Sequence, residues 1–222
     1  MDRIALTSLI DWKKKQTRMP LILNGARQTG KTYLLKQFAA AEFKHSLYVN
    51  FEEDPKAQLL FAGDLKPERL INELQLHFDT SFELKSDLLI FDEIQAAPRA
   101  LTALKYFKEK FPNSFVCAAG SLLGIHLSDV SFPVGCVEIT NLYPLSFREF
   151  LNAQKNKTLS EYFMNCDLGD LSEVSHEKFW ENLKKYLILG GLPGVLNTFF
   201  ESIHDGKSEY EAFKSARAKQ KV

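Results

Sequence analysis

The segment Gly25-Ala-Arg-Gln-Thr-Gly30-Lys31-Thr32 constrains this chain more than any other, because it matches GxxxxGK[ST] in full between an apolar run and a helical pattern. The run "PLILNG" (20–25) reads as a buried strand. Behind the loop, "GKTYLLKQFAAAEF" (30–43) reads as a helix, with Tyr33, Leu34, Phe38 and Ala41 near one face. A strand that turns through a glycine loop into a helix is the context that makes the match a P-loop. The glycines let the backbone turn its N–H groups around an anion, and the helix start directs its positive dipole end to the same place. Lys31 is then the residue that reaches the β- and γ-phosphates, and the Thr32 hydroxyl the one that holds Mg²⁺. The nucleotide contacts expected from the loop are Gly25, Ala26, Arg27, Gln28, Thr29, Gly30, Lys31, Thr32 and Tyr33. Arg27 and Gln28 keep two readings, contact with phosphate or solvation at the loop tip.

The rest of the chain repeats the strand and helix alternation. "HSLYVNFEE" (45–53) alternates like a second strand, and "ERLINELQLHF" is helical, with Pro67 suited to a first turn and Leu70, Leu74 and Phe78 four apart. "DLLIFDEI" (87–94) is too short for a helix, "PRALTALKYFKEKF" (98–111) is helical, and "SFVCAAGS" (114–121) and "GCVEITNL" (135–142) complete five strands. Strands separated by helices need crossover connections, so the pattern predicts an α/β fold with a parallel sheet covered on both faces. From "PLSFREFL" onward the pattern is mostly helical, broken at "LGGLPG" (189–194), where three glycines and a proline force a turn.

A strand of a parallel sheet delivers ligand-facing groups at its C-terminal end, so Asp92 is expected beside the P-loop as a holder of the Mg²⁺ hydration shell. Glu93 is then the base that orients or deprotonates an attacking water. Ser121, ending the next strand, has two readings: a polar sensor of the γ-phosphate, or the cap of a helix beginning in "LLGIHL". His45 and His126 have no ligand spacing.

Composition narrows the partners. Lys plus Arg and Asp plus Glu number 28 each, so no overall field draws the chain to nucleic acid or an anionic membrane surface. The run "DWKKKQTR" (11–18) reads as a solvated helix face rather than a phosphate track, so no nucleic-acid partner is expected from this chain alone. Three cysteines without CxxC spacing argue against a disulfide framework or a zinc site and fit a reducing compartment. The N-terminus has an acidic second residue and no unbroken apolar core, unlike a signal peptide, and no stretch approaches a membrane span. The expected location is cytoplasmic.

"NGARQTGKT", "YVNFEE", "FDEIQ", "AAGSLLG", "YPLSFREFL" and "LILGGLPGVL" occur in an order and at separations that resemble a large group of prokaryotic AAA-type ATPases, over roughly residues 18–200. The resemblance implies an AAA+-like P-loop NTPase core with a five-stranded parallel sheet in the order 5-1-4-3-2, followed by a small helical lid. It implies ATP rather than GTP, in keeping with the lack of an NKxD guanine motif, and Mg²⁺ as cofactors. Lys31, Glu93 and Ser121 are the catalytic candidates, and Thr32 and Asp92 the metal-associated ones. The expected division is an ATPase core at 1–150, a helical lid at 151–205 and a charged tail at 206–222. That tail is expected to begin the C-terminal domain of unknown function usual in the group, and the resemblance implies that most of that domain is missing here. Members often carry a basic residue after the glycine preceding the fifth strand, where this chain has Cys136, and Arg148 is the weak substitute.

The expected function is Mg-dependent ATP binding and hydrolysis driving a conformational switch, slow in the isolated chain, with self-association or an unidentified protein as partner. The second reading is a nucleotide-dependent scaffold or regulatory switch with little turnover. A small-molecule kinase would want arginines in its lid, and residues 150–200 contain none.

Overall fold

β1 (Leu21–Gly25) forms where three consecutive apolar residues are sealed from solvent, and its last residue opens directly into the loop. In the computed structural model, residues 3–121, 133–154, 157–167, 169 and 171–220 are described. These fall into two units, one of residues 5–27 and 31–142, the other of residues 3–4, 28–30 and 143–220.

The first unit contains α1 (Ala5–Lys14), β1, α2 (Lys31–Glu42), β2 (Ser46–Asn50), α3 (Pro55–Leu60), α4 (Pro67–Phe78), β3 (Leu88–Asp92), α5 (Pro98–Lys110), β4 (Phe115–Ser121) and β5 (Glu138–Asn141). All strand pairs are parallel and the sheet order is β2-β3-β4-β1-β5, the order expected from the resemblance. Alternation along the strands distributes the core to both faces. Ile22, Leu89, Phe91, Val116 and Ala118 pack with residues of α3, α4 and α5, whereas Leu21, Leu23, Leu88, Ile90, Cys117 and Ala119 pack with α1 and α2.

Helix α2 departs in detail from its expected face. It buries Leu34, Leu35, Phe38 and Ala39, and leaves Tyr33 and residue 41 exposed. These four sit at i, i+1, i+4 and i+5, one continuous stripe of the helix, and that stripe packs with residues of β1, β3 and β4. The basic run near the N-terminus also differs from a solvated face. Its Trp12 is buried, Lys13 pairs with Glu42 at 3.0 Å, and Arg18 is buried with its guanidinium 3.9 Å from the Phe115 ring. Arg18 also donates to the carbonyl of Asn113 at 2.6 Å, so its charge holds loops together. All three cysteines are free thiols, and burial pushes the Cys117 thiol upward.

The second unit contains α6 (Phe147–Ala153), α7 (Lys157–Asn165), α8 (Glu173–Leu189), α9 (Pro193–His204) and α10 (Glu209–Gln220). Leu145, Phe150, Leu151, Phe179, Leu189, Val195, Leu196, Phe199, Ala212 and Ala216 form its core. α8 ends because Gly190 adopts φ +72°, and Pro193 starts α9 at a position where a missing N–H costs nothing. α6 begins with a capping box in which Ser146 and Glu149 satisfy each other's backbone N–H groups.

Glu149 also accepts from the Ile4 N–H at 2.9 Å and from Arg3 Nε at 3.0 Å. Burial pushes its carboxyl up, but the N–H groups of Ser146 and Ile4 and the Arg3 guanidinium outweigh burial and hold it below its ordinary value of 4.5. A depressed carboxyl contributes stability that is present above the ordinary value and lost as pH falls through the folded one. Thermal melts taken from about pH 5 down to 3 should therefore fall more steeply for the parent than for Glu149→Gln. Parallel curves would remove Glu149 from the acid response.

Candidate functional site

The register of the sheet places the expected site residues. Gly25 at the end of β1 lies opposite Ser121 at the end of β4, and Asn50 at the end of β2 opposite Asp92 at the end of β3. Four parallel strands thus deliver their last residues to one edge, where a doubly covered parallel sheet presents ligand-binding groups.

The loop following β1 exposes Ala26, Arg27 and Gln28 and buries Thr29. Gln28 and Gly30 take positive φ, +64° and +90°. A run of peptide planes turned by such residues is how a loop aims successive N–H groups at an anion. α2 starts at Lys31, and Thr32 lies half-buried in its first turn.

Lys31 Nζ donates to the carbonyls of Gly25 at 3.0 Å and Ala26 at 2.9 Å, and to Ser121 Oγ at 2.9 Å. Three contacts use the three donors of an ammonium. Burial lowers the Lys31 ammonium from its ordinary value, with Arg27 adding to that effect while Glu93 and Asp92 oppose it. The P-loop lysine and the strand-end serine are thereby in direct contact.

Asp92 is fully buried and accepts from the Tyr48 hydroxyl at 2.7 Å and the Glu93 N–H at 2.9 Å. Burial, with the bond given to Asp92, pushes the Tyr48 hydroxyl well above its ordinary value, so Tyr48 stays a donor. Two donors leave acceptor capacity on the Asp92 carboxylate. Glu93 follows in the left-handed region at φ +50°, a backbone position that costs a non-glycine residue about 1–3 kcal/mol and concentrates at functional sites. Gln95 reaches both neighbours: its Nε2 donates to Glu93 Oε2 at 2.5 Å and its Oε1 accepts from the Ser121 N–H at 3.3 Å.

Lys31, Ser121, Gln95 and Glu93 thus form one hydrogen-bonded chain, with Asp92 beside it. Tyr33 is exposed on α2, and Arg148 is exposed on α6 in the other unit. The helix expected after Ser121, and His126 with it, lie outside the described residues. Sequence reasoning did not single out Tyr48 or Gln95. Both sit inside quoted motifs, "YVNFEE" and "FDEIQ", and that was the one available signal.

A twelve-residue helix opening on a positive-φ glycine loop, a lysine at its first position, a threonine at its second and a buried acid with spare acceptor capacity fit a magnesium-bound nucleoside triphosphate. Among the described residues, no cluster of three or more His, Cys, Asp or Glu could hold a metal by itself. Thr32 and Asp92 accordingly suit a cation that keeps most of its waters and leans on phosphate oxygens.

Fold and site together define a P-loop NTPase core of the AAA+ kind. Residues 17–151 match the AAA domain family, and the chain belongs to that family. Two uncharacterized proteins of Methanocaldococcus jannaschii are 27% identical over 190 residues and 26% identical over 180 residues. These alignments cover 79% and 78% of this chain but only 38% and 35% of the relatives, so the chain spans little more than a third of their length. Among solved structures, a Walker-type ATPase of Pyrococcus abyssi superposes with a TM-score of 0.55 at 20% identity, over 98% of this chain and 70% of that one. PCH-2 of C. elegans superposes with a TM-score of 0.50 at 14% identity, over 96% and 63%. Both are likenesses of fold. Among the described residues no helix is long and apolar enough to cross a membrane.

Proposed function

We propose that this chain binds Mg-ATP at its P-loop and hydrolyses it, the loss of γ-phosphate contacts resetting a conformational switch in which the helical segment 151–205 is the lid. The observation that carries the reading is the contact of Lys31 Nζ with Ser121 Oγ, beside the strand end that bears Asp92 and Glu93. Binding exchanges Lys31 contacts to loop carbonyls for contacts to phosphate oxygens, so the same ammonium is held in place before and after. Asp92 orients water around the cation, and Glu93 takes the proton from the attacking water. When bound, the magnesium-triphosphate supplies the electrophilic phosphorus and the neutralisation of its oxygens. Ser121 reports the γ-phosphate to Gln95 through its backbone N–H.

A second reading, a nucleotide-dependent switch with little turnover, is favoured by one contact. Gln95 Nε2 lies 2.5 Å from Glu93 Oε2 and competes with the water that Glu93 would have to hold. Both readings are proposed for a protein inside a cell, with self-association or a protein partner, and only the second makes its role regulatory.

The test is equilibrium binding and phosphate release with Mg-ATP for the parent and for Lys31→Ala. Loss of a desolvated charged donor to phosphate is expected to weaken binding at least about tenfold. Equal ATP affinity in the two proteins would overturn the site. Tight binding without phosphate release at any protein concentration would select the second reading.

A further inference from the structure

Arg3 lies outside every motif of the expected site, yet its side chain is only 5% exposed and its guanidinium makes three separate bonds. Nε donates to Glu149 Oε1 at 3.0 Å, Nη1 to the Thr29 carbonyl at 2.8 Å, and Nη2 to the Tyr143 carbonyl at 2.6 Å. All four residues belong to the unit that contains residues 28–30 of the P-loop. The geometry points to Arg3 as a positioning residue for nucleotide binding, one that sets the plane of the Thr29–Gly30 peptide; the inference rests on the P-loop being the nucleotide site.

The peptide group is planar and trans, so its N–H and C=O point in opposite directions. A donor that fixes the Thr29 carbonyl therefore fixes the Gly30 N–H, one of the groups a P-loop offers to phosphate. Gly30 cannot settle this orientation by itself, because at φ +90° glycine has broad freedom. Its surroundings are in no more than ordinary contact, since a Cβ built there would lie 3.4 Å from Pro193 Cγ and 3.7 Å from Arg3 Nη1, so the constraint is the Arg3 bond to the Thr29 carbonyl. Glu149 in turn anchors Arg3. It is 7% exposed at its side chain, is fixed by the Ser146 and Ile4 N–H groups, and so presents Oε1 in one place. This gives "SFREF" and "GGLPG" a common use, since Glu149 anchors the arginine that holds the Thr29 carbonyl and Pro193 lies against Gly30.

A guanidinium suits this place because its rigid planar fork holds Nε, Nη1 and Nη2 in fixed directions, one toward each acceptor, where an ammonium on a flexible stem fixes none of them. Lysine at position 3 keeps the charge for Glu149 and forfeits the fork. For Arg3→Lys, loss of the carbonyl bond predicts a Kd for Mg-ATP about three- to tenfold higher, with the same factor for ADP. KM should rise while kcat stays within about twofold, because a mis-set binding loop lowers affinity in every molecule. A purely structural lesion would instead lower the active fraction, cutting kcat at unchanged KM. Glu149→Gln, which keeps the acceptor but loses the charge, is expected to shift Kd in the same direction by a smaller factor.

Titration calorimetry and steady-state kinetics on the full chain, with thermal melts alongside, decide the matter. Unchanged Kd in both variants, whatever happens to the melting temperature, overturns the inference while leaving the P-loop reading intact. A parent that binds ATP no better than Lys31→Ala takes down the P-loop reading, and the inference with it.

Discussion

Glu93→Gln will release phosphate from Mg-ATP about 10²- to 10⁴-fold more slowly than the parent, the range expected for loss of a general base, while its nucleotide Kd stays within about threefold. The substitution is nearly isosteric, and the left-handed backbone at residue 93 is no worse for glutamine than for glutamate. The peptide N–H of residue 93 still bonds to Asp92, so the strand end keeps its shape. What is removed is the ability to accept a proton. Gln95 Nε2 can donate to the carbonyl oxygen of the new amide as it does to Glu93 Oε2, so the hydrogen-bonded chain to Ser121 persists. The measurement is single-turnover phosphate release at saturating nucleotide, with binding followed in parallel. Equal rates in parent and variant would remove Glu93 from the chemistry and leave water activation to another group.

The framework of the site was legible because its signals are local. Five apolar runs bounded by loops gave the strands, and the glycine spacing around Lys31 gave the loop. The sheet order came from the resemblance, since five similar strands can be arranged in many ways that periodicity does not distinguish. What escaped was held by contacts between residues far apart in the chain. Arg3 and Glu149 are separated by 146 positions and Lys31 and Ser121 by 90, and no window of sequence displays either pairing. Charge misled as well: Arg18 looked like part of a solvated run and is instead buried against Phe115, because a guanidinium can stack on an aromatic face while its two terminal nitrogens donate to carbonyls. In α2, the choice between Leu35 and residue 41 depended on which side met the sheet, which is a property of packing.

Two glycines around the break between α8 and α9, Gly191 in the break and Gly194 just inside α9, illustrate the same point from the side of stability. "LGGLPG" reads as a turn, but Gly191 is required for a different reason. A Cβ built on it would lie 2.3 Å from the Leu145 carbonyl oxygen, 2.9 Å from the Leu145 nitrogen and 3.0 Å from Pro144 Cβ. The first two neighbours are backbone and cannot swing away. The approach is close because the Leu145 N–H donates to the Gly191 carbonyl at 2.7 Å, tying the segment before α6 to the one before α9. Gly191→Ala must open that bond or displace one segment, and overpacking together with a lost hydrogen bond sums to about 3 kcal/mol. Gly194 is the control. It lies in the first turn of α9, and its Cβ would meet only Lys219 Cε at 3.9 Å. There alanine gains up to about 1 kcal/mol of helix propensity, so Gly194→Ala should hold or raise stability. Urea unfolding of the two variants against the parent measures the difference. An equal midpoint for Gly191→Ala would mean that the Leu145–Gly191 junction yields freely. In that case the link from Leu145 to the "GGLP" turn does not stabilise the unit.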